Sequence, residues 1–420
     1  MRVSPLGRHA SEIQQPKEAR VNEKTRHHLT PSNSTTSSHD RRKALLEMLR
    51  TSPDTLFIAA DVGVKKWFLA AAGRGSERPT QSALEPFDTR GLLEWIPRLR
   101  KRHGLDDGPV VFAYEAGRDG FSIARVLEDH GVHCLVVDPG SIETSSRARV
   151  AKTDRLDAKK LLVKLRNYVA GDRSVFVVAR IPSREVEDYR RPVRERERLV
   201  KERTGHQTRI RGLLATIGLQ APSFNQDFAT WLRQVRTPDG RLIQYHLRRE
   251  ILRELERLEL VEAHVAEIER QLLADLDKPT TLADKQGATL RQLVSCGLVT
   301  ATLLSRDFFW RDFRNRKEVA SAAGFDGTPR ATGHTMDEEQ GISKAGSKRV
   351  RVQMIELAWG WIRLQPDSAI TKWFYDYIDG TKRAKRKAIV AVARRLLIAL
   401  WRFAVHGVIP EGARFKEQAA

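Results

Sequence analysis

Apolar residues follow two rhythms along this chain. Up to about residue 170 they come in short runs bounded by turn residues. Beyond about residue 183 they step by three and four. Within "LFIAADVGVKKWFLAAAGRG", the apolar runs "LFIAA" (56–60) and "WFLAAA" (67–72) flank a short polar turn, with Asp61 at the end of the first, which spells a β-hairpin. "TRGLLEWIPRLRKRHG" has helical spacing and stops at Gly104, and "PVVFAYEAG" is a strand finishing on Glu115. "FSIARVLEDHG" is a helix stopped by Gly131, and "HCLVVDPG" another strand. "KTDRLDAKKLLVKLRNYV" is a helix with Thr153 as its cap. Strands alternating with helices after an initial hairpin predict a mixed-sheet α/β domain over 54–178.

The second rhythm predicts a charged helical arm over 179–280. Ile251, Leu255, Leu258, Val261, Val265, Ile268 and Leu272 form a coiled-coil-like seam. A weaker seam precedes it, with Pro192 at a kink or start. An antiparallel pair results, open to partner contact or to a plain intramolecular hairpin. Residues 281–408 read as a mostly helical domain interrupted by "AGFDGTPRATGHTMDEEQGISKAGSKRVR". Residues 409–420 read as a frayed tail. Residues 1–53, with the biased stretch "LTPSNSTTSSHDRR", show no sustained periodicity and predict a disordered basic and polar tail.

Charge narrows the function. The 420 residues carry 74 Lys and Arg against 53 Asp and Glu, a formal net charge of +21. The excess runs through every segment, which points to a polyanionic partner, nucleic acid first. Two cysteines far apart, Cys134 and Cys296, exclude a disulfide framework and fit a reducing cytoplasm. No run approaches a membrane span and no hydrophobic leader is evident, so a soluble cytoplasmic protein is expected.

Four acids stand out by position. Asp61 and Glu115 end strands, where α/β domains gather ligands. Asp154 and Asp157 lie three apart on a helix face that continues as Ala158, Leu161, Leu162, Leu165, Tyr168 and Val169, the face turned to the sheet. Singly, each acid reads equally as a turn residue or a helix N-terminal charge. Together they would repel unless cations neutralised them. Hard oxygen ligands beside a phosphate suit magnesium or manganese, and two such ions can clamp both oxygens of an in-line phosphodiester displacement.

At these residues the chain resembles the bacterial insertion-sequence transposases that join an N-terminal RuvC-like domain to a C-terminal serine-bearing domain, the bridge-RNA-guided recombinases. The resemblance is carried by "DVGVKKW", "YEAGRDGF", "VVDPGSI", "AKTDRLDAKKLL", "RDFFWRDFRNRKEVASAAGF", "QGISKAGSKRVRVQMIELAWGWIRLQPDSAITKWF" and "RAKRKAIVAVARRLLIALW". It implies an RNase H-like fold with a four-carboxylate centre for Mg2+ or Mn2+ at Asp61, Glu115, Asp154 and Asp157. It also implies a nucleophilic hydroxyl before "QGISKAG". There the family pattern is a small residue, serine and glycine, whereas this chain has Ala331, Thr332 and Gly333. A threonine hydroxyl can attack, although its methyl crowds the oxygen and restricts the rotamer. Ser343 is a second hydroxyl, read as the N-cap of the next helix.

By that resemblance the protein would be a transposase or recombinase, exchanging DNA strands as a homodimer or homotetramer under the direction of a structured non-coding RNA. It would associate with the nucleoid when bound to DNA. Candidate nucleic-acid contacts are Arg147, Arg149, Lys152 and Arg155 before and within the "AKTDR" helix, and Lys344, Lys348 and Arg349 after the nucleophile stretch. Lys382, Arg383, Lys385, Arg386 and Lys387 join them at a helix start, where cations oppose the dipole. "SCGLVTATLL" offers a helix–turn–helix equally suited to phosphate contact or packing, and Phe308, Phe309 and Trp310 read as core. Two alternatives are a decayed copy that binds nucleic acid without cutting, and a structure-selective nuclease without strand exchange. A sugar-kinase-like ATPase is disfavoured, because "DVGVKKW" has no second Asp-Gly-Gly-type loop to accompany it.

Overall fold

The computed structural model describes residues 38–105, 107–117, 120–142, 154–332, 335–378 and 381–417; of residues 38–41, 328–340, 382 and 383 it describes the backbone only. The chain divides into two units, 1–48 and 49–420. Helix α1 (Ser38–Thr51) falls where the sequence suggested no order. "KALLEMLR" supplies enough helix formers, and Arg50 lies in the last turn, where a cation suits the dipole.

The hairpin forms as expected. β1 (Leu56–Val62) pairs antiparallel with β2 (Trp67–Gly73), which pairs antiparallel with β3 (Thr80–Leu84). The sequence did not suggest β3, whose residues TQSAL alternate between half-buried and exposed, the polar look of a short edge strand. α2 (Thr89–His103) leads to β4 (Val110–Glu115), α3 (Ser122–Asp129) and β5 (His133–Val137). β4 runs parallel to β1 and β5 parallel to β4, giving one mixed sheet in the order β3-β2-β1-β4-β5. That arrangement is consistent with an RNase H-like domain.

Strand alternation assigns the two faces. Leu56, Ile58, Ala60, Val110, Phe112 and Tyr114 share one core with Leu92, Ile96 and Leu99 of α2 and Ile123 and Leu127 of α3. The alternate residues Phe57, Ala59, Val111 and Ala113 are equally buried and belong to the opposite face. α4 (Asp154–Ala170) packs against β1, β2 and β4 through its buried stripe, Ala158, Leu161, Leu162, Leu165, Tyr168 and Val169. Its predicted cap, Thr153, lies outside the described residues.

α5 (Arg184–Tyr189) precedes α6 (Arg191–Ala215), in which Pro192 starts the helix rather than kinking it. α7 (Phe228–Gln234) then leads to the long α8 (Tyr245–Asp277). Ion pairs Arg196–Glu269 and Arg209–Glu254 run in opposite senses along the two helices, so α6 and α8 are antiparallel. Every predicted seam position on α8 is buried except Ile268, which is half-buried. At the far end, Phe228 and Leu232 of α7 join Ile210, Leu214, Ile251 and Leu255 in a small separate core. Glu254 interrupts the apolar seam at 7% side-chain exposure and is met by His206 Nδ1 at 2.7 Å and by Arg209 and Arg257 at 2.6 Å each. Burial pushes this carboxyl up, but these donors more than offset it and hold the carboxyl below its usual range.

α9 (Leu282–Arg291), α10 (Leu298–Thr302), a π-helical turn (Leu303–Phe308) and α11 (Arg316–Ala322) lead into the antiparallel hairpin β6 (Gly327–Thr332) and β7 (Thr335–Ile342). α12 (Lys348–Leu364), α13 (Ala369–Tyr377) and α14 (Lys382–His406) complete the bundle. Its core also takes in Val193, Leu272 and Leu276 from the near end of the α6/α8 pair. Phe308 and Phe309 lie in that core, as read from the sequence. Trp310 is instead half-buried between the guanidinium groups of Arg190 and Arg311, 5.0 and 5.1 Å from its ring.

Asp307 ties the bundle to the arm. Its side chain is 5% exposed and accepts hydrogen bonds from Arg190 Nε at 2.6 Å, Arg194 Nη2 at 3.0 Å and Arg349 Nη1 at 2.9 Å. Burial raises its carboxyl, and the three arginines outweigh that and hold it below the ordinary range.

The C-terminal segment corrects the expectation of a frayed tail as far as residue 417. Buried Gln365 donates to the Val294 and Arg414 carbonyls, and its amide oxygen accepts from Arg414 N at 2.6 Å. Lys416 Nζ donates to the carbonyls of Arg291 and Cys296. Gly412, at φ +68°, lies where a Cβ would stand 2.3 Å from the Asp367 carbonyl, so only glycine passes.

Candidate active site

Ala60 pairs with Tyr114 in the parallel ladder, so the next residues, Asp61 and Glu115, sit side by side on neighbouring strands. Adjacent strands lie about 4.8 Å apart, and register partners of a parallel pair point to the same side. That side is the one carrying Ala59 and Ala113, which α4 covers. Across the hairpin Asp61 is the register partner of Phe68. The Arg155 guanidinium, in the first turn of α4, lies 5.8 Å from the Phe68 ring centre. The start of α4 therefore overhangs the sheet end that holds Asp61.

The acids differ in setting. Asp61 is half-buried, Glu115 and Asp154 are exposed, and Asp157 is 29% exposed with Lys160 Nζ 3.2 Å away. The stripe turns inward only from Ala158, so Asp154 faces the solvent margin rather than the sheet. Among the described residues no three His, Cys, Asp or Glu side chains gather tightly enough to hold a metal ion. Carboxylates repel one another in the absence of a cation, and Asp157 takes Lys160 as its counter-charge. The donor set itself, carboxylate oxygens on one sheet end and the helix start above it, has the chemistry of a Mg2+ or Mn2+ site.

The basic residues just before α4, namely Arg147, Arg149 and Lys152, lie outside the described residues. Arg155 is placed over Phe68 and stays exposed.

Thr332 is the last residue of β6, its backbone paired with Thr335 at the hairpin tip; its side chain lies outside the description, as do Gly333 and His334. The hairpin root is clamped by the motifs on either side of it. Ser343 N donates to the Asp326 carbonyl at 2.7 Å, Lys344 N to that of Gly324, and Ser347 N to that of Ala322. Gly346, at φ +110°, lies so close to Ala322 that a Cβ would stand 2.5 Å from its carbonyl oxygen. "GISKAG" thus works by docking its backbone on "AAGFD". The cap of α12 is Ser347, which accepts from Val350 N, and not Ser343, whose hydroxyl accepts from Ala345 N. Ser343 remains exposed.

Lys344, Lys348, Lys385, Arg386 and Lys387 are exposed, and the side chains of Lys382 and Arg383 lie outside the description. Arg349 departs from the expected phosphate contact, because it is bonded internally to Asp307 and Glu197. The turn before α10 packs around buried Cys296, and Gly297 caps that helix without a side-chain bond.

Comparison with known proteins places this arrangement. A transposase family model, the DEDD domain of IS110 elements, matches residues 61–218. A second, the transposase family of IS116, IS110 and IS902, matches residues 288–372. The candidate transposase y4rJ of Sinorhizobium fredii (strain NBRC 101917 / NGR234) is 37% identical over 389 residues, which is 88% of this chain and 96% of that protein. This chain belongs to the IS110 family of insertion-sequence transposases. A second relative from the same strain, the candidate transposase y4qE, is 27% identical over 309 residues, covering 72% of this chain and 71% of that protein. The transposase for insertion sequence element IS1533 of Leptospira borgpetersenii is 32% identical over 114 residues, 25% of this chain and 32% of its own. DEDD transposase domains typically depend on a divalent metal. Among the described residues no helix is long and apolar enough to cross a membrane.

Proposed function

We propose that this IS110-family transposase cuts and rejoins DNA with Asp61, Glu115, Asp154 and Asp157 as the ligands of Mg2+ or Mn2+ and Thr332 as the nucleophile. The observation that supports the reading is the parallel register of β1 and β4, which sets Asp61 and Glu115 side by side, with the first turn of α4, bearing Asp154 and Asp157, over the β1–β2 side of the same sheet end. The four acids also occur in the order Asp, Glu, Asp, Asp that the matched family's name spells. A divalent ion there would draw charge from a phosphodiester and fix its orientation. The carboxylates bind the ion and orient the phosphate. The Thr332 oxygen attacks phosphorus and loses its proton; the bond from phosphorus to one sugar oxygen breaks, and that oxygen takes up a proton. The product is a threonyl–DNA ester that the next strand can resolve.

Target choice is assigned to a structured non-coding RNA, and assembly to a homodimer or homotetramer joined through the α6/α8 arm. The net charge of +21 supports contact with two nucleic acids. The deciding experiment is DNA cleavage by Asp61→Ala and Asp154→Asn in magnesium buffer. Both variants should lose cleavage while still shifting DNA in a gel, and cleavage that survives either change would refute the metal centre.

A further inference from the structure

Away from the acids, the C-terminal bundle carries a cleft of about 510 Å³ between α11, α13 and α14. Five cations line it: Arg316 and Lys317 at the start of α11, and Arg394, Arg395 and Arg402 on α14. The three on α14, with Ile398, step by three and four and so share one helix face. Ile370 and Ile398 give the cleft an apolar floor. Among the described residues no acid lines it, although Asp326 reaches Arg394 at 3.9 Å. All five cations are exposed, so each can take a ligand without giving up an internal partner of great worth.

A second feature adjoins the first through Arg395. Its guanidinium stands 3.9 Å from the Trp373 ring centre, and Trp373 stacks on Tyr377 with centroids 5.0 Å apart and planes 23° apart. One ring face of Tyr377 is thereby covered, yet the residue is 60% exposed, which leaves its outer face in water. Trp373 also packs against the bundle core, whereas Tyr377 carries the ladder out into solvent. A nucleobase fits its open end, because stacking on tyrosine tolerates any base. The base must lie outside a continuous duplex, as in a single strand, since stacking already covers both faces of a base inside one. The cleft volume is that of a site for one small ligand, roughly 300–1,000 Å³, and suits a strand of one or two nucleotides rather than a duplex.

We propose that this cleft grips a single strand of DNA, its phosphates among the five cations and one base stacked on Tyr377. The inference rests on the DNA strand-exchange reading above, since exchange leaves strands transiently unpaired, but it does not involve the acids or Thr332. The test uses the full chain in chelating buffer, where cutting is silent, with a fluorescein-labelled thymidine 12-mer read by anisotropy. Tyr377→Ala should weaken binding roughly five- to a hundredfold, and Tyr377→Phe should retain it. Arg394→Gln with Arg402→Gln should flatten the slope of log affinity against log salt by about 0.7 for each phosphate no longer neutralised. Circular dichroism guards against misfolding, of which exposed Tyr377 carries little risk. Unchanged affinity in Tyr377→Ala overturns the proposal, as does tighter binding of a uridine 12-mer than of the thymidine one. Either result would leave magnesium-dependent cleavage by the unaltered protein standing.

Discussion

Replacing Asp307 with alanine should unfold the C-terminal bundle more readily than any surface change. The carboxylate is 5% exposed and faces Arg190, itself 10% exposed, at 2.6 Å. Removing one member of a buried pair costs about 3–5 kcal/mol, because the remaining charge stays buried without compensation. Arg194 contributes less, since it is 40% exposed and screened by water, about 0.2–1 kcal/mol. Arg349 lies between them at 28% and keeps Glu197 as a second partner. With a urea slope of about 2 kcal/mol/M, the alanine variant should lower the unfolding midpoint by about 2 M, and Arg194→Ala by less than about 0.5 M. Urea unfolding followed by tryptophan fluorescence reads both, since Trp310 sits against Arg190. The contribution also depends on pH in a definite sense. The folded carboxyl lies below the ordinary value near 3.9, so its stabilisation is complete above that pH and fades as pH falls through the folded value. A cost below about 1 kcal/mol for Asp307→Ala, or equal costs for the two variants, would refute the account of a buried, triply bonded anion.

Glu254 should behave alike in the arm. Its carboxyl is held low, so stabilisation of the α6/α8 pair is present above about pH 4.3 and lost on further acidification; Glu254→Gln should remove that acid-side dependence from helicity measured by circular dichroism. Thr332→Ser should keep or raise formation of the covalent DNA adduct, whereas Thr332→Ala should abolish the band of slowed DNA–protein species on a denaturing gel; an adduct persisting in the alanine variant would redirect attention to Ser343. Deleting residues 411–420 should lower the thermal midpoint by several degrees, because Gln365 would lose its Arg414 partners while buried; an unchanged midpoint would show that the segment is not structural.

Much of this molecule was legible in residue order alone, wherever burial imposes a period. The strands that carry Asp61 and Glu115 announce themselves as short apolar runs because both their faces avoid water, and the stripe of α4 and the seam from Ile251 to Leu272 because one face does and the chain repeats to supply it. What no periodicity reveals is which charges meet. Asp307 and Arg349 look like any others in a chain that is 30% charged, and only the packing of α12 against the π-helical turn and α6 turns them into an internal ion cluster. Edge strand β3 escapes notice because its residues are polar and half-exposed, whereas the segment up to Lys416 reads as tail because its partners, Gln365 and the turn after α9, are supplied from far along the chain. The same holds for the Arg395–Trp373–Tyr377 ladder, which joins two helices that sequence could name but not bring together. Local pattern reports how each segment meets water; long-range pairing depends on the whole chain closing, and so belongs to the tertiary structure.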